Sequence, residues 1–394
     1  MITVQEAKTI LSNIKMQWGE EHIPLTDATG RYLAEDIMAD RDYPPFDRAM
    51  MDGFAMRFSD WQKGQRIFHY SHQQWAGSPI IELPEEEACE ITTGAAVPSG
   101  FDLVVPIEKV VVGDDGSFTC TEIEKIKSGW NIQRQGVEHK QQDVVIEKGT
   151  CITAAVIAVL ASCGITMPLV YRRPAVAVIA TGDELVPMDV SPLPHQIRTS
   201  NAHALKALVQ PMSREIEIFH LNDDPLIIQK WMQQHDQQWD ILLFSGGVSK
   251  GGKDYLPQLW QEDGFECLFH GIAQKPGKPM WLGKKNQTLL FGFPGNPVST
   301  LVCAIAYFIP WIKLQWSNQK NSQHIQIQDA ISTNEKLDLW IPVVLENNSF
   351  KTLDYLGSGD LIGFSALNGI IHVPSKQTFN NKNQEFRFYP VTTF

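Results

Sequence analysis

Residues 175–184 read AVAVIATGDE, a run of six apolar residues followed by a polar turn that contains a glycine. A continuous apolar run of this length is typical of a strand that is buried on both faces of a parallel sheet. The same arrangement occurs twice more. Residues 240–244 precede Ser-Gly-Gly-Val-Ser at 245–249, and residues 288–293 precede Pro-Gly-Asn-Pro at 294–297.

Helical patterns separate these predicted strands. Residues 201–209 and 224–239 have helical spacing, and an apolar helix is predicted over 298–311. Strands that alternate with helices indicate a doubly wound parallel sheet.

The regions on either side follow different patterns. Thr3 and Glu6 form a capping-box pattern at the start of a predicted N-terminal helix. Residues 54–112 contain short apolar runs separated by Gly and Pro, which predicts a β-rich region. Predicted strands at 339–345, 370–373 and 386–391 indicate a small all-β domain at the end of the chain. The fold class is therefore a multidomain α/β and β protein.

Composition narrows the function classes. The chain has 394 residues, with 33 Lys and Arg against 45 Asp and Glu, so its formal charge is -12. Such a chain is a poor general binder of nucleic acid or of an anionic membrane, since both need clustered cations. The six cysteines have no Cys-x-x-Cys or zinc-site spacing, which indicates free thiols in a reducing compartment.

One uncharged stretch has the length of a membrane span. Residues 151–171 carry no charge, but Gly164 and Pro168 interrupt them, which favours a buried helix followed by a short connection. The N-terminus has no signal-peptide pattern. We therefore expect a soluble, cytoplasmic protein that does not bind membranes.

The three glycine turns predict an anion site. The carboxyl ends of parallel strands form the ligand crevice of such sheets, and glycine lets backbone N–H groups approach an anion closely. A single turn of this kind is more simply a tight connection, whereas three in one domain favour binding. The predicted binding residues in these turns are Gly182, Asp183, Ser245, Gly246, Gly247, Ser249, Pro294, Gly295, Asn296 and Pro297.

Charged residues beside the turns support this prediction. Lys250 and Lys253 follow the second turn, and Lys275 and Lys278 flank a Pro-Gly pair. These lysines are candidate anion ligands, although lysines in exposed loops also serve solubility alone. No Walker motif, Gly-x-Gly-x-x-Gly after a strand or nucleophile elbow is present, which argues against a P-loop NTPase, a dehydrogenase and a serine hydrolase.

Carboxylates in the same turns point to a metal. Asp183, Glu184 and Asp254 are candidates to hold Mg²⁺, which takes one or two carboxylates together with ligand oxygens. Helix N-capping by Asp183 or Asp254 is an equally good local explanation. In the β-rich half, Asp52 and Thr93 lie in short turn-like motifs whose local sequence is ambiguous.

Taken together, these stretches resemble one family over almost the whole chain: the molybdopterin molybdenumtransferases, which include bacterial MoeA and the E domain of gephyrin. Each matching segment is short, but their order and spacing are specific. The segments are YPPFD at 43–47, MDGFA at 51–55, TGAAVPSG at 93–100, AVIATGDEL at 177–185, IRTSN at 197–201, SGGVS at 245–249, KPGKP at 275–279 and GFPGNPVS at 292–299.

The resemblance implies four domains. Domain I, helical and extended, comprises residues 1–43 and 139–171, and the β-rich domain II, residues 44–138, is inserted between those pieces. Domain III, the doubly wound molybdopterin-binding domain, spans residues 172–318. Domain IV, a small β-barrel, spans residues 319–394. The resemblance also implies a homodimer in which domain II of one subunit completes the cleft on domain III of its partner.

The implied reaction is the Mg²⁺-dependent insertion of molybdate into adenylylated molybdopterin, with release of AMP. The resemblance assigns catalytic roles to Asp52, Thr93, Glu184 and Asp254, of which Glu184 and Asp254 hold the metal. Lys275 and Lys278 bind anions, and residues 294–297 shape the cleft. A molybdopterin adenylyltransferase is the implied partner that supplies the substrate.

This chain departs from the family pattern at several positions. Ala49 and Met50 stand where the family has Ser-Ala, and acidic residues are replaced by Val137, Thr199 and Gly252. The cleft is therefore expected to be less acidic. Two other functions remain open at this point: a scaffold that keeps the fold without catalysis, and a nucleotide-pyrophosphate hydrolase.

Overall fold

The computed structural model of the chain describes residues 1–84, 87–248, 255–317, 323–327, 329–331, 336–376 and 384–391. The chain forms two compact units. The first comprises Met1–Ala34, Gly149–Thr153 and Met167–Phe394, and the second comprises Glu35–Lys148 and Ala154–Thr166. The four-domain division stays a prediction.

A six-stranded sheet forms the centre of the first unit. Its strands are β1 (Ala175–Thr181), β2 (Glu215–Leu221), β3 (Ile241–Ser245), β4 (Glu266–His270), β5 (Trp281–Lys285) and β6 (Thr288–Phe293). They lie in the order β2-β1-β3-β6-β5-β4, and β1, β2, β3 and β6 are parallel. Every residue of β1, β3 and β6 is buried, which confirms the three predicted strands.

The sheet is not parallel throughout. β5 runs antiparallel to both β6 and β4, so half of the sheet is a meander that we did not predict. We did not predict this strand because β5 mixes apolar residues with Gly283, Lys284 and Lys285 and has no continuous apolar run.

Helices cover both faces of this sheet. In β1, Val178 belongs to one hydrophobic cluster with Leu205, while its neighbour Ile179 belongs to another with Ile228 and Trp260. This division of adjacent residues is what a strand covered on both sides produces. The helices are Ser200–Val209, Pro225–His235, Leu256–Glu262, Pro297–Cys303 and Ile309–Trp316, with a π-helical segment at Ala304–Phe308.

The last of these helical segments run on without a break. Pro297–Trp316 is long and apolar enough to cross a membrane by length and composition, but 72% of its most apolar window is buried within the protein. It is accordingly a core helix, and it continues past the predicted end at residue 311.

The N-terminal helix, Val4–Asn13, begins with the predicted capping box. The Glu6 backbone N–H donates to Thr3 Oγ1 over 3.1 Å, and the Thr3 N–H donates to Glu6 Oε2 over 2.7 Å. In the same unit, strand Glu20–His22 pairs with Leu169–Tyr171.

The C-terminal region forms a closed five-stranded barrel. Its strands are β7 (Gln323–Ile327), β8 (Asp338–Glu346), β9 (Ser349–Thr352), β10 (Gly369–Val373) and β11 (Gln384–Pro390). β8 pairs with β9 and β10, β10 pairs with β11, β11 pairs with β7, and β7 closes the barrel on β9. The interior contains Ile327, Val343 and Ile371.

The second unit is built on another six-stranded sheet, which confirms the β-rich prediction. In sheet order, its strands are Leu103–Pro106, Gly53–Met56, Ala88–Ile91, Ile67–Gln74, Ser117–Cys120 and Val110–Val112. A short helix at Phe58–Gln62 was not predicted. Two small antiparallel pairs join Ile37–Met38 to Val144–Ile146 and Arg48–Ala49 to Ile132–Gln133.

The prediction of a buried helix followed by a short connection within residues 151–171 needs correction. A helix does form at Ala154–Ser162, but Leu160 is its one buried residue, and Val159 is 37% exposed. The outer face of this helix is apolar, and the described residues of the chain do not cover it.

The capping box leads to a test of local stability. Thr3→Ala removes the side-chain acceptor at the helix start, a loss worth about 1 kcal/mol. We expect amide exchange in residues 4–7 to rise about fivefold, measured by hydrogen–deuterium exchange mass spectrometry. Thr3→Ser keeps the acceptor and serves as the matched control. Equal exchange in the two variants would contradict the capping role.

Candidate functional site

The three glycine turns follow strands that lie side by side. β1 and β3 are parallel, with Ala180 opposite Ser245, and β3 and β6 are parallel, with Ser245 opposite Phe293. The strands therefore end at the same edge of the sheet. The surface formed there by Thr181, Gly182, Ser245, Gly246, Gly247, Pro294, Gly295 and Asn296 is called the strand-end cradle below.

Glycine is required where these turns touch. Gly246 has a φ of +111°, and a Cβ on it would lie 2.9 Å from Thr181 O. A Cβ on Gly247, with a φ of +66°, would lie 2.5 Å from Leu256 Cδ1. A Cβ on Gly295 would come within 3.6 Å of Gly246 Cα. The second turn thus lies directly against the other two.

Asn201 joins two of the turns, and the sequence analysis gave it no role of its own. Its Nδ2 donates to Ser245 Oγ over 2.9 Å and to Gly295 O over 2.7 Å. The Gly246 N–H also donates to Phe293 O over 3.2 Å. The feature of the sequence that could have pointed to Asn201 is its position in the IRTSN segment, at the start of helix Ser200–Val209.

Thr181 is a second residue that sequence reasoning missed. Its side chain is buried, and its Oγ1 has no hydrogen-bond partner among the described residues. This hydroxyl lies 3.1 Å from the position that a Cβ on Gly246 would take, and 3.6 Å from the corresponding position on Gly247. A buried hydroxyl without a partner is unfavourable by about 1–3 kcal/mol, and this one lies beneath the glycines of the second turn.

The two acidic residues after β1 have different surroundings. The carboxylate of Glu184 is exposed and folds back over the first turn, with both oxygens 2.7 Å from the position of a Cβ on Gly182. Asp183 Oδ1 instead accepts the backbone N–H of Asp223 over 3.1 Å, and Asp223 accepts the Tyr255 hydroxyl. Asp183 therefore holds the loop after β2.

Among the described residues, Glu184 is the one candidate metal ligand from the predicted set that lies at the cradle. The described part of the chain contains no group of three or more His, Cys, Asp and Glu residues placed to hold a metal. Glu184 is an exposed carboxylate at the cradle, and Mg²⁺ accepts one or two carboxylates when phosphate oxygens and water complete its shell. Ser249, Lys250, Lys253 and Asp254 lie outside the described residues.

The turn that carries Lys275 and Lys278 is held from beneath by Gln274. Both lysines are exposed, whereas Gln274 is fully buried. Gln274 Nε2 donates to Gly277 O over 3.1 Å, while its Oε1 accepts from the Tyr307 hydroxyl and from Trp340 Nε1.

The lysine turn also lies against the helix that follows the third glycine turn. A Cβ on Gly277 would lie 2.3 Å from Cys303 Sγ and 3.6 Å from Ser299 O, both in helix Pro297–Cys303. Pro297 is the first residue of this helix, and Asn296 Nδ2 donates to Ser358 Oγ over 2.9 Å. Ser358, in the loop between β9 and β10, is a further residue that sequence reasoning missed.

Asp52 and Thr93 meet in the second unit. Asp52 Oδ1 accepts the Thr93 backbone N–H over 2.6 Å and the Thr93 hydroxyl over 2.8 Å. These hydrogen bonds lower the pKa of the exposed Asp52 carboxyl. The local sequence did not predict this contact between residues 41 positions apart.

The family models match most of the chain. The model for the MoeA N-terminal region, domains I and II, matches residues 2–164, and the model for a probable molybdopterin-binding domain matches residues 177–314. A molybdopterin molybdenumtransferase of Synechocystis is 32% identical, and the match covers 99% of this chain and 100% of the relative. This chain belongs to the molybdopterin molybdenumtransferase family.

Other relatives agree with this assignment. A molybdopterin molybdenumtransferase of Haemophilus influenzae is 36% identical over 81% of this chain and 79% of its own length. The crystal structure of the molybdopterin biosynthesis MoeA protein from Pyrococcus horikoshii covers 100% of both chains, with a TM-score of 0.81 at 26% identity.

Within this family member, the departures from the family pattern have identifiable surroundings. Thr199, which replaces an acidic residue, is buried, and its N–H and hydroxyl both donate to Val186 O. Val137 is exposed, Ala49 is buried, and Gly252 lies outside the described residues. Thr199 thus braces the chain just before Asn201 and adds no charge to the cradle.

Gln274 provides a test of how the lysine turn is supported. Gln274→Leu leaves the Tyr307 hydroxyl and Trp340 Nε1 buried without their acceptor, which should lower the free energy of unfolding by about 2–4 kcal/mol. Urea denaturation followed by tryptophan fluorescence measures this loss. Gln261→Leu, on an exposed position of helix Leu256–Glu262, is the control and should change stability by less than about 0.5 kcal/mol. Equal effects of both substitutions would contradict the role of Gln274.

Proposed function

We propose that this protein acts in molybdenum cofactor biosynthesis and inserts molybdate into adenylylated molybdopterin with release of AMP. The observation that carries the proposal is the strand-end cradle, built by glycine turns at one edge of the sheet in a chain whose relatives are named molybdopterin molybdenumtransferases. A ligand with a pyrophosphate linkage and a separate oxyanion suits this combination of close backbone approach and nearby lysines.

The cradle is the proposed binding place for the pyrophosphate of the substrate. Gly246 and Gly247 have positive φ values and no room for a side chain, so only glycine lets the second turn pack this closely against its neighbours. Asn201 keeps two of the turns at a constant separation while substrate binds.

Lys275 and Lys278 are the proposed ligands of molybdate. Both are exposed on a turn that Gln274 supports from within, so their positions are constrained while their ammonium groups stay accessible. A cation near 4 Å from an oxyanion contributes about 4 kcal/mol at an effective dielectric of 20, before desolvation. This attraction offsets the repulsion between molybdate and the substrate phosphates.

Mg²⁺ is part of the proposal. Glu184, together with Asp254, would hold the ion beside the cradle, where it would polarise the phosphoanhydride. Water would attack that bond and leave AMP, while the two thiols of the pterin would bond to molybdenum and displace one molybdate oxygen as water, so the water consumed in one step is released in the other. Asp52 and Thr93 would reach the site from a second copy of the chain.

The exposed apolar helix supports the proposed homodimer. Ala154–Ser162 carries no charge and buries one residue, and an exposed apolar surface on a soluble protein commonly marks a contact with another chain. A molybdopterin adenylyltransferase is the proposed supplier of the substrate, and the cytoplasm is the proposed location of both proteins.

The reaction can be tested with the purified protein. We expect AMP release from adenylylated molybdopterin with Mg²⁺ to depend on molybdate, measured by chromatography of the products. Lys278→Gln should raise the KM for molybdate at least about tenfold, the effect of about 1.4 kcal/mol of binding. Lys230→Gln, on the exposed face of helix Pro225–His235, is the control.

The other outcomes are equally informative. Release of AMP without molybdate would indicate a nucleotide-pyrophosphate hydrolase, and the absence of any release would indicate a scaffold. An unchanged KM for molybdate in Lys278→Gln would remove this lysine from the molybdate site.

The dimer can be tested independently of the reaction. Val159→Glu places a charge in the middle of the exposed apolar helix and should shift the mass measured by light scattering from dimer to monomer. Val137→Glu introduces the same charge at an exposed position outside that helix and should leave the dimer intact. A dimer that survives Val159→Glu would exclude this helix as the interface.

A further inference from the structure

A cavity of about 470 Å³ lies in the first unit, away from the strand-end cradle. Its walls come from the N-terminal helix Val4–Asn13, the helical segments within Ala304–Trp316, and β11. None of the residues that form the cradle lines it. Its volume is within the range of small-molecule sites in proteins.

The charge of this cavity is opposite to that of the whole protein. Lys8, Lys313 and Arg387 line it, and its described lining contains no Asp or Glu. The chain as a whole carries a formal charge of -12. Lys8 and Arg387 therefore give this concave surface a local positive charge that attracts an anion.

Two of these cations lie on the same aromatic ring. Lys8 Nζ is 5.1 Å and Arg387 Cζ is 5.2 Å from the centroid of the Tyr389 ring, and Lys8 Nζ also lies 4.8 Å from the Trp340 ring. Lys8 donates to the Tyr389 hydroxyl over 2.8 Å. The mutual repulsion of Lys8 and Arg387 is the kind of unfavourable interaction that a bound anion removes.

Asp338, the carboxylate near Lys8, already interacts with other groups. Asp338 Oδ2 lies 2.8 Å from His372 Nε2, and Asp338 Oδ1 accepts the Ser375 N–H. Burial, followed by the charge of Arg387, lowers the pKa of Lys8 to about 8, and Asp338 offsets this only in part. The protein therefore holds a desolvated lysine beside a second cation.

The rest of the cavity wall is suited to a planar apolar group. Tyr32, Trp311 and Tyr389 line it together with aliphatic residues such as Leu11 and Ile309. A ligand that satisfies both the aromatic wall and the paired cations Lys8 and Arg387 has a flat body and more than one negative charge.

We propose that this cavity is a binding site for a small aromatic or nucleoside-type monophosphate, whose phosphate contacts Lys8 and Arg387. The phosphate dianion matches the excess of cations better than a carboxylate does, and the ring lies against the aromatic wall. This site does not rest on the reaction proposed above.

Phenyl phosphate is the probe, and equilibrium dialysis of the full-length protein at pH 7 is the measurement. We expect Lys8→Gln and Arg387→Gln each to weaken binding at least tenfold. Lys230→Gln should have no effect, and neither should the double variant Lys275→Gln/Lys278→Gln, which tests for binding at the cradle instead. Inorganic phosphate and phenol should each bind at least tenfold more weakly than phenyl phosphate.

The pH dependence gives a second readout. Lys8 faces Arg387 and Tyr389 of β11, Asp338 of β8 and His372 of β10. A bound phosphate raises the pKa of Lys8, so affinity should fall as the pH rises through about 8, and Lys8→Gln should remove that fall.

The proposal is wrong if Arg387→Gln, an exposed position that should fold normally, binds phenyl phosphate as tightly as the unmodified protein. It is also wrong if binding disappears in the double lysine variant, if inorganic phosphate binds equally well, or if phenyl phosphate does not bind at millimolar concentration.

Discussion

The side-chain amide of Asn201 holds the strand-end cradle together. Its nitrogen donates to Ser245 Oγ at the end of β3 and to Gly295 O after β6. Two turns that are about 50 residues apart in sequence thereby form one surface. This arrangement depends on parallel neighbouring strands that end together, and on glycines that allow the turns to approach within van der Waals distance.

Two buried polar side chains show how differently this fold treats structural and functional groups. Gln274 has partners for both ends of its amide, which is the usual condition of a buried polar residue. Thr181 has none among the described residues, although it is buried to a similar degree. The first residue fixes the position of a turn, whereas the hydroxyl of the second is buried beneath the glycines of the second turn.

Several features were predictable because their causes are local. The capping box of the N-terminal helix needs only residues three positions apart, and the apolar runs of β1, β3 and β6 reflect burial on both faces. The wrong prediction for helix Ala154–Ser162 has the opposite cause. Its apolar composition indicates that its surface is covered by protein. Composition does not distinguish cover by the same chain from cover by another chain. β5 was missed because its lysines and glycine conceal its alternation.

We predicted four features from the sequence alone: the alternation of strands and helices, the glycine turns, the two lysine positions and the family. All of these depend on patterns over a few neighbouring residues. The tertiary structure alone decided that Asn201 bridges two turns, that Gln274 supports the lysines from beneath, that Asp52 meets Thr93, and that Lys8 and Arg387 share one ring. Several of these contacts join residues that are far apart in the chain: Asp52 and Thr93 are separated by 41 positions, and Lys8 and Tyr389 by 381. A hydrogen bond or cation–π contact at such a separation leaves no periodic trace in the sequence.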